Sequence, residues 1–486
     1  MTVLDAAAFE VRAVYVDHRT QVMTLPALKA LARKAADGGM NALVMEWEAT
    51  FPFDGNATLC NRFAFSQAEA EEFISYCSGI GIDVIPLQNC FGHSEYILRH
   101  ERYSALREDS KDLSQVCPLK KEKAEEVFGS IFAEIAAAHP SEYIHIGCDE
   151  TRLLGHCKEC ARFVRENGKS KLFVDYVSLM CDIVKKLGKT PVIWADILLQ
   201  YPDAASELPD DIVVVDWNYG WNVNHFGSID NLLSKGITMW GASSLRSSPD
   251  NIFLTDWPKH FGNLRNYIPF CREKAFSGII QTSWSTSGQY GYIWDHKSVI
   301  DIQPIREVYP SVAFDILWQA FFAAVSDNGL KDDFIPLYLQ ARFGLSEEDA
   351  RAFSRYFDMP QNVVAGKGFD AGNIMQELQN AKQMRQVLKE IKVRKNKQDF
   401  GHLALMLDIR INYLNFKKTE LEYEASNFAS CDRERLASEL KPLLKDAESL
   451  RKRFAKLNRG FLKDASIPLG DASYIGKMNK LYEICR

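Results

Sequence analysis

From residue 12 to about residue 284, short apolar runs rich in β-branched residues alternate with longer stretches in which apolar positions recur every three or four residues. The short runs are 12–16, 41–46, 82–86, 143–147, 191–194, 212–215, 237–240 and 278–282. Each is apolar on both alternating sides, which predicts strands buried on both faces of a parallel sheet. Between them the periodicity predicts helices. One runs from Leu25 to Ala36 and is closed by Gly38-Gly39. A second runs from Ser66 to Ser78, with Ser66 as cap and Glu69 three residues on. A third spans Lys120 to Ala138, and a fourth spans Cys157 to Leu187 with a break at Gly168. Eight strand–helix repeats predict an α/β fold, a closed (β/α)8 TIM barrel.

After about residue 310 the strand pattern stops. Leu378, Ala381, Met384, Leu388 and Ile391 repeat at helical spacing, as do Leu436, Leu440, Leu443, Ala447, Leu450, Phe454 and Leu457, and Gly460 ends that run. Pro442 should kink the second helix or start a new one. The reading is a barrel over residues 1–315 and an α-helical C-terminal domain over residues 316–486. That domain either packs on the barrel or forms a homodimer interface.

Composition narrows the function classes. With 58 basic and 64 acidic side chains the net charge is −6, against a nucleic-acid partner held by bulk positive charge. The basic stretch Lys392 to Lys397 reads as a solvated helix end. No run of about 18 apolar residues occurs, so no membrane helix is expected. The 11 cysteines are odd in number and irregularly spaced, which fits reduced thiols. With an N-terminus unlike a secretory signal, the expected location is cytoplasmic. His156-Cys157-Lys158-Glu159-Cys160 has the form of half a zinc site, but without a second pair it is weak, and no metal is assigned.

In such a barrel the chemistry sits where strands end. Strand one ends in Asp17-His18-Arg19, strand two in Glu46-Trp47-Glu48, and strand three leads into a loop holding His93. Strand four ends in Asp149-Glu150, strand five in Trp194-Ala195-Asp196 and strand six in Asp216-Trp217-Asn218-Tyr219. Strand seven ends at Trp240 and strand eight at Trp284. Carboxylates and tryptophans thus gather at one rim. Indole faces stack on sugar C–H surfaces and carboxylates perform glycosidic acid–base chemistry. Asp149 and Glu150 are adjacent, so they cannot face each other across one bond. They can serve one face, and their mutual repulsion should raise one pKa.

These residues resemble a known family. IleHisIleGlyCysAspGluThr (144–151) is similar to the His–Gly–Asp–Glu signature of glycoside hydrolase family 20, the β-N-acetylhexosaminidases. ValArgAlaValTyrValAspHisArg (11–19) resembles its first-strand motif, and CysPheGlyHisSerGlu (90–95) resembles its Pro-Gly-His loop with Phe91 in the proline position. The runs 46–53, 91–100 and 240–244 look closest to the hexosaminidase D branch. The chain departs from many members in having Glu46-Trp47-Glu48 where they carry Thr-Asp-Asp.

The resemblance implies an exo-acting enzyme on terminal β-linked GalNAc or GlcNAc, with a preference for GalNAc. It also implies substrate-assisted retention through an oxazolinium ion. Glu150 would then be the general acid/base and Asp149 the residue that orients the acetamido group. Arg12 would bind sugar hydroxyls, and Trp194, Trp217 and Trp284 would wall the site. Trp240 and Asp196 count as further substrate contacts. Tyr219 would steady the acetamido carbonyl, with Tyr290 and Tyr292 as rivals. His93, Glu46, Glu48 and Asp17 would support from behind, and no cofactor is required. Two other readings stay open: a sugar-binding protein on an inactive barrel, and a hydrolase with two opposed carboxylates using Glu46 or Glu48.

Overall fold

Each of the eight apolar runs forms a strand, and the strands close on one another in sequence order. The computed structural model describes residues 9–19, 21–247, 253–285, 290–293, 301–304, 308–327, 329–364, 367–427, 430–463 and 473–486. Residues 202–203, 290–293, 301–304 and 473 are described as backbone only. The strands are β1 (Val11–Asp17), β2 (Ala42–Glu46), β3 (Asp83–Leu87), β4 (Tyr143–His145), β5 (Thr190–Trp194), β6 (Val213–Trp217), β7 (Thr238–Ser244) and β8 (Gly278–Thr282). An antiparallel pair, β9 (Tyr290–Ile293) and β10 (Asp301–Pro304), follows and was not anticipated.

The helices interleaved with them are α1 (Leu25–Asp37), α2 (Gln67–Gly79), α3 (Glu95–Leu98), α4 (Lys121–Ala138), α5 (Lys158–Asn167), α6 (Lys169–Lys186), α7 (Asp196–Gln200), α8 (Asp230–Ser234) and α9 (Trp257–Glu273). The rest are α10 (Asp315–Asp327), α11 (Phe334–Phe343), α12 (Glu347–Ser354), α13 (Ala371–Glu390), α14 (Lys397–Ala425), α15 (Arg433–Asn458) and α16 (Ser473–Cys485). Ser66 and Glu69 close a reciprocal cap at the start of α2, and Gly168 separates α5 from α6.

The register aligns the strand ends. Asp17 lies opposite Glu46, Glu46 opposite Leu87 and Leu87 opposite His145. The barrel interior is filled by Tyr15, Val44, Ile85, Trp194, Val215, Trp240 and Ile280 among others. Trp240 is therefore a correction. The seventh strand does not end there but runs on to Ser244, so Trp240 lies near its start. Its ring stands 5.0 Å from that of Tyr143, the first residue of β4. A Cβ on Gly278 would approach it to 2.5 Å. It fills the lower barrel interior, away from the strand ends where it was expected. Trp47, also at a strand end, is sealed outside the barrel against His18, Phe65, Phe73 and His139.

The helical remainder packs on the barrel. α10 completes the helix ring: Phe322 presses on Gly38 at the end of α1, Lys34 reaches Asp315 at 2.5 Å, and Arg272 of α9 donates to the Val325 carbonyl. A division at 315/316 therefore cuts off a barrel helix, and the separate helical part begins after α10. α15 runs unbroken through Pro442, which neither ends nor restarts it. After α15 the chain returns to the first βα loop, where Thr24 N–H donates to Phe461 O at 2.9 Å and Lys463 N–H to Val22 O at 2.8 Å. The basic stretch between α13 and α14 is largely exposed. Among the described residues no helix is long and apolar enough to cross a membrane.

Candidate active site

The acidic pair follows β4 through a tightly constrained turn. Gly147 has φ 73°, and a Cβ there would lie 2.1 Å from Asn89 Oδ1, so only glycine fits. Cys148 and Glu150 also take left-handed φ, at 74° and 45°. These are strained values for residues with side chains, and such strain collects at functional sites. The loop after β3 lies directly against this turn. A Cβ on Gly92 would sit 2.1 Å from Asp149 O, and His93 itself has φ 53°.

This contact places His93 Nε2 3.3 Å from Asp149 Oδ2 and 3.3 Å from Glu150 Oε2. Burial disfavours a charged imidazole, but the two carboxylates outweigh it and raise the His93 pKa well above its ordinary value. Burial likewise pushes Glu150 up, yet the hydrogen bond and charge of His93, with Arg152 at 2.9 Å, pull it down to about 2. The expected repulsion between Asp149 and Glu150 is thus replaced by a cation between them. The carboxyl that burial and those two charges raise is Asp196, to about 7. Its Oδ2 accepts the Glu150 N–H at 3.0 Å and its Oδ1 accepts the Trp217 indole N–H at 3.4 Å. Asp196 therefore positions Glu150 and Trp217 from below. Asp149 Oδ1 is buried and has no hydrogen-bond partner among the described residues.

Aromatic rings line the floor and wall. Trp194 is buried at the end of β5, with its ring 5.9 Å from that of Trp284. Trp217 and Trp284 are half-buried and cap the interior cluster. The Tyr219 ring lies tilted 5.0 Å from that of Trp217, and its hydroxyl lies toward Thr282 and Trp284. Burial drives its pKa well up, so it stays protonated and can donate. Tyr290 and Tyr292 lie on β9, whose side chains fall outside the described residues. A cleft of about 280 Å³ runs along Glu150, Asp196, Trp217, Tyr201 and Phe226, the lower end of the size range for small-ligand pockets.

Two further carboxylates are tied down behind this surface. Asp17 accepts from Arg19 Nη2 at 3.0 Å and from Ser285 N–H at 2.7 Å. Glu46 accepts from Tyr15 Oη, from Asn89 Nδ2 at 2.8 Å and from Arg19 Nε at 3.1 Å. Burial raises Glu46 to about 7 and also raises Glu48, which has φ 43°. Glu46 thus links through Asn89 to the Gly147 turn.

Arg12 is the second correction. It stands at the start of β1, opposite Ile279 near the start of β8. Its guanidinium donates to Gly39 O at 2.9 Å and Phe9 O at 2.6 Å. That is the opposite end of the barrel from Glu150. At the mouth stands Arg19 instead, whose guanidinium lies 5.3 Å from the centre of the Trp284 ring. The sequence reads Arg19 as a rim ion pair, and it pairs with Asp17 at 3.0 Å and Glu46 at 3.1 Å; Asn89 and Arg152 are the site residues that sequence reasoning did not assign. For Arg19 the signal was present, since it follows the strand-end Asp17 whereas Arg12 opens the strand. Asn89 and Arg152 show none beyond proximity to His93 and Glu150. Away from the cleft, Glu108, Cys117, Cys157 and Cys160 gather their ligating atoms within 4.8 Å.

With this geometry in hand, residues 17–239 match the catalytic domain of glycosyl hydrolase family 20. The chain is 27% identical over 306 residues to Hexosaminidase D of Bos taurus, covering 59% of this chain and 85% of that protein. It is 28% identical over 284 residues to Hexosaminidase D of Homo sapiens, covering 54% of this chain and 56% of that one. The fold is similar to the crystal structure of a β-N-acetylhexosaminidase from Bacteroides fragilis, with TM-score 0.52, 16% identity and coverage of 68% and 70% of the two chains.

Proposed function

We propose that this chain, whose residues 17–239 match the catalytic domain of glycosyl hydrolase family 20, is a glycoside hydrolase that removes terminal β-linked N-acetylhexosamine by substrate-assisted retention. The acetamido carbonyl oxygen attacks the anomeric carbon as the bond to the aglycone oxygen breaks. That oxygen takes a proton from Glu150, leaving an oxazolinium ion. Water, deprotonated by Glu150, then adds at the same carbon and reopens the ring with retention. Holding the nucleophile inside the substrate gives a large effective-molarity gain.

The observation that carries this reading is Asp149 Oδ1, buried beside Glu150 and without a hydrogen-bond partner among the described residues. An acceptor in that place suits the acetamido N–H, which becomes more positive as the ion forms. The rest of the site is consistent with it. Tyr219 supplies an O–H for the carbonyl oxygen, Trp194, Trp217 and Trp284 supply sugar-stacking faces, and Arg19 takes the hydroxyl-binding role expected of Arg12. The opposed-carboxylate alternative is disfavoured because Glu46 already accepts from Tyr15, Asn89 and Arg19.

The test is turnover of aryl N-acetylhexosaminides by Glu150→Gln and Asp149→Asn. Each should lose about 10²-fold or more. Near-normal turnover in Glu150→Gln would overturn the assignment, and tight binding of a thiazoline analogue would support it. The preference for GalNAc over GlcNAc rests on the hexosaminidase D resemblance, and the two nitrophenyl substrates compared on one preparation decide it.

A further inference from the structure

The sequence offered only one Cys-x-x-Cys pair, but folding brings it two more ligands from the loop after β3. Cys117 Sγ lies 3.9 Å from Cys157 Sγ and 3.6 Å from Cys160 Sγ. Glu108 Oε2 lies 3.4 Å from Cys160 Sγ. A tetrahedral zinc with Zn–S of about 2.3 Å and Zn–O of about 2.0 Å requires S···S near 3.8 Å and S···O near 3.5 Å. Three of the six pairs stand close to those separations, all four ligating atoms lie within 4.8 Å of one another, and three of the four residues are buried.

We propose that Glu108, Cys117, Cys157 and Cys160 form a structural zinc site. Three thiolates favour a soft, tetrahedral ion, and a full set of four protein ligands leaves no open position for catalysis. Binding releases the thiol protons, up to three per ion. Three thiolates and a carboxylate exceed the ion's charge by two, and the backbone answers that excess. Glu108 Oε1 accepts the Cys157 N–H at 2.7 Å, leaving Oε2 for the metal, and Cys157 Sγ accepts the Cys160 N–H at 3.4 Å. Both donors lie at the start of α5, where the helix dipole also favours negative charge.

The position gives the metal a task. It joins the loop that carries His93 to the segment that carries Asp149 and Glu150, beside the hydrogen bond from Leu153 N–H to Gln115 Oε1 at 2.8 Å. The ion would hold those two segments in register at the barrel mouth while touching no substrate.

Elemental analysis of the full chain, purified without chelators and supplied with zinc, should find about one zinc per chain. Cobalt loaded in its place should show thiolate-to-metal charge transfer and tetrahedral d–d bands. Cys157→Ser with Cys160→Ser should lower the metal content to below about a tenth. Chelation of the wild-type protein should lower its thermal midpoint, and added zinc should restore it. Less than about a tenth of an ion per chain with no cobalt spectrum would overturn the proposal, as would a disulfide among the three cysteines found by alkylation mass analysis. Metal binding with an unmoved thermal midpoint would overturn the structural role. The wild-type metal and cobalt measurements stand even if the variant fails to fold. None needs substrate, so they are independent of the proposed hydrolase activity.

Discussion

Replacing His93 by glutamine should move the alkaline limb of the pH–rate profile. In the folded protein His93 bridges Asp149 and Glu150 at 3.3 Å each and keeps its proton well above its ordinary 6.5, while Glu150 is held ionised to about 2. The proton that a leaving group needs therefore belongs to the His93–Glu150 pair, and it departs only when His93 titrates. Glutamine keeps a donor but has no proton to give. Glu150 must then carry the proton itself, and with its main cationic partner removed its pKa returns to its ordinary 4.5 or somewhat above. The limb of kcat/KM, which reports the free enzyme, should fall from well above pH 6.5 toward the ordinary carboxylate range. Neutral pH then lies about 2 units above the variant's limb, and at about 1.4 kcal/mol per unit that is about 100-fold in rate. The Glu150 side chain is 31% exposed, so water screens part of the interaction and the loss should lie between about 30- and 100-fold. Below about pH 4.5 the variant should recover to within about tenfold of wild type. The assay is kcat/KM for an aryl N-acetylhexosaminide from about pH 3.5 to 8.5. A uniform loss at every pH with the limb unmoved would show that His93 only shapes the loop.

Other changes separate the two ends of the barrel. Arg19→Ala should lower kcat/KM by about 10- to 100-fold, the loss of a charged hydrogen bond to substrate. Arg12→Ala should cost about 1–3 kcal/mol of stability while kcat/KM stays within about twofold, checked by denaturant titration and kinetics together. Equal catalytic losses in the two would refute the placement. Gly92→Ala must push its loop away from Asp149 O, and kcat/KM should drop about 100-fold while the folded fraction measured by circular dichroism is unchanged. His145 is buried and burial lowers its pKa to about 3, so only the unfolded chain gains its proton as pH falls below 6.5. Relative to wild type, His145→Gln should therefore gain about 2 kcal/mol between pH 7 and pH 5, and a difference independent of pH would refute this.

The strand pattern was legible because every barrel strand is buried on both faces, so hydrophobicity alone marks it. Strand ends were less legible, and the errors in site residues follow from that. The run at 237–240 looks like a whole strand because Gly241, Ala242, Ser243 and Ser244 are small or polar, yet they continue β7 and bury Trp240 below the mouth. Arg12 opens β1 and Arg19 follows its end, and only the direction of the parallel barrel tells which one lies at the mouth. Asp149, Glu150 and His93 were found because their motifs are contiguous. The charge state of the pair was not, since it depends on a loop contact between residues more than fifty positions apart. Glu108 and Cys117 escaped notice for the same reason, as no local spacing ties them to Cys157 and Cys160.

The left-handed backbone at Glu48, His93, Cys148 and Glu150 has a consequence for how this protein can be improved. At about 1–2 kcal/mol apiece, four such residues carry ~4–8 kcal/mol. That rivals the 5–15 kcal/mol net stability typical of a whole domain. A selection for heat resistance would find its largest rewards at these positions, for instance Cys148→Gly. Those same gains would let the mouth relax out of the shape that the role proposed for Glu150 requires, so hardening and catalysis would pull against each other here. The productive place to harden this enzyme is the far end of the barrel, around Arg12 and α1, where no strained residue serves the reaction.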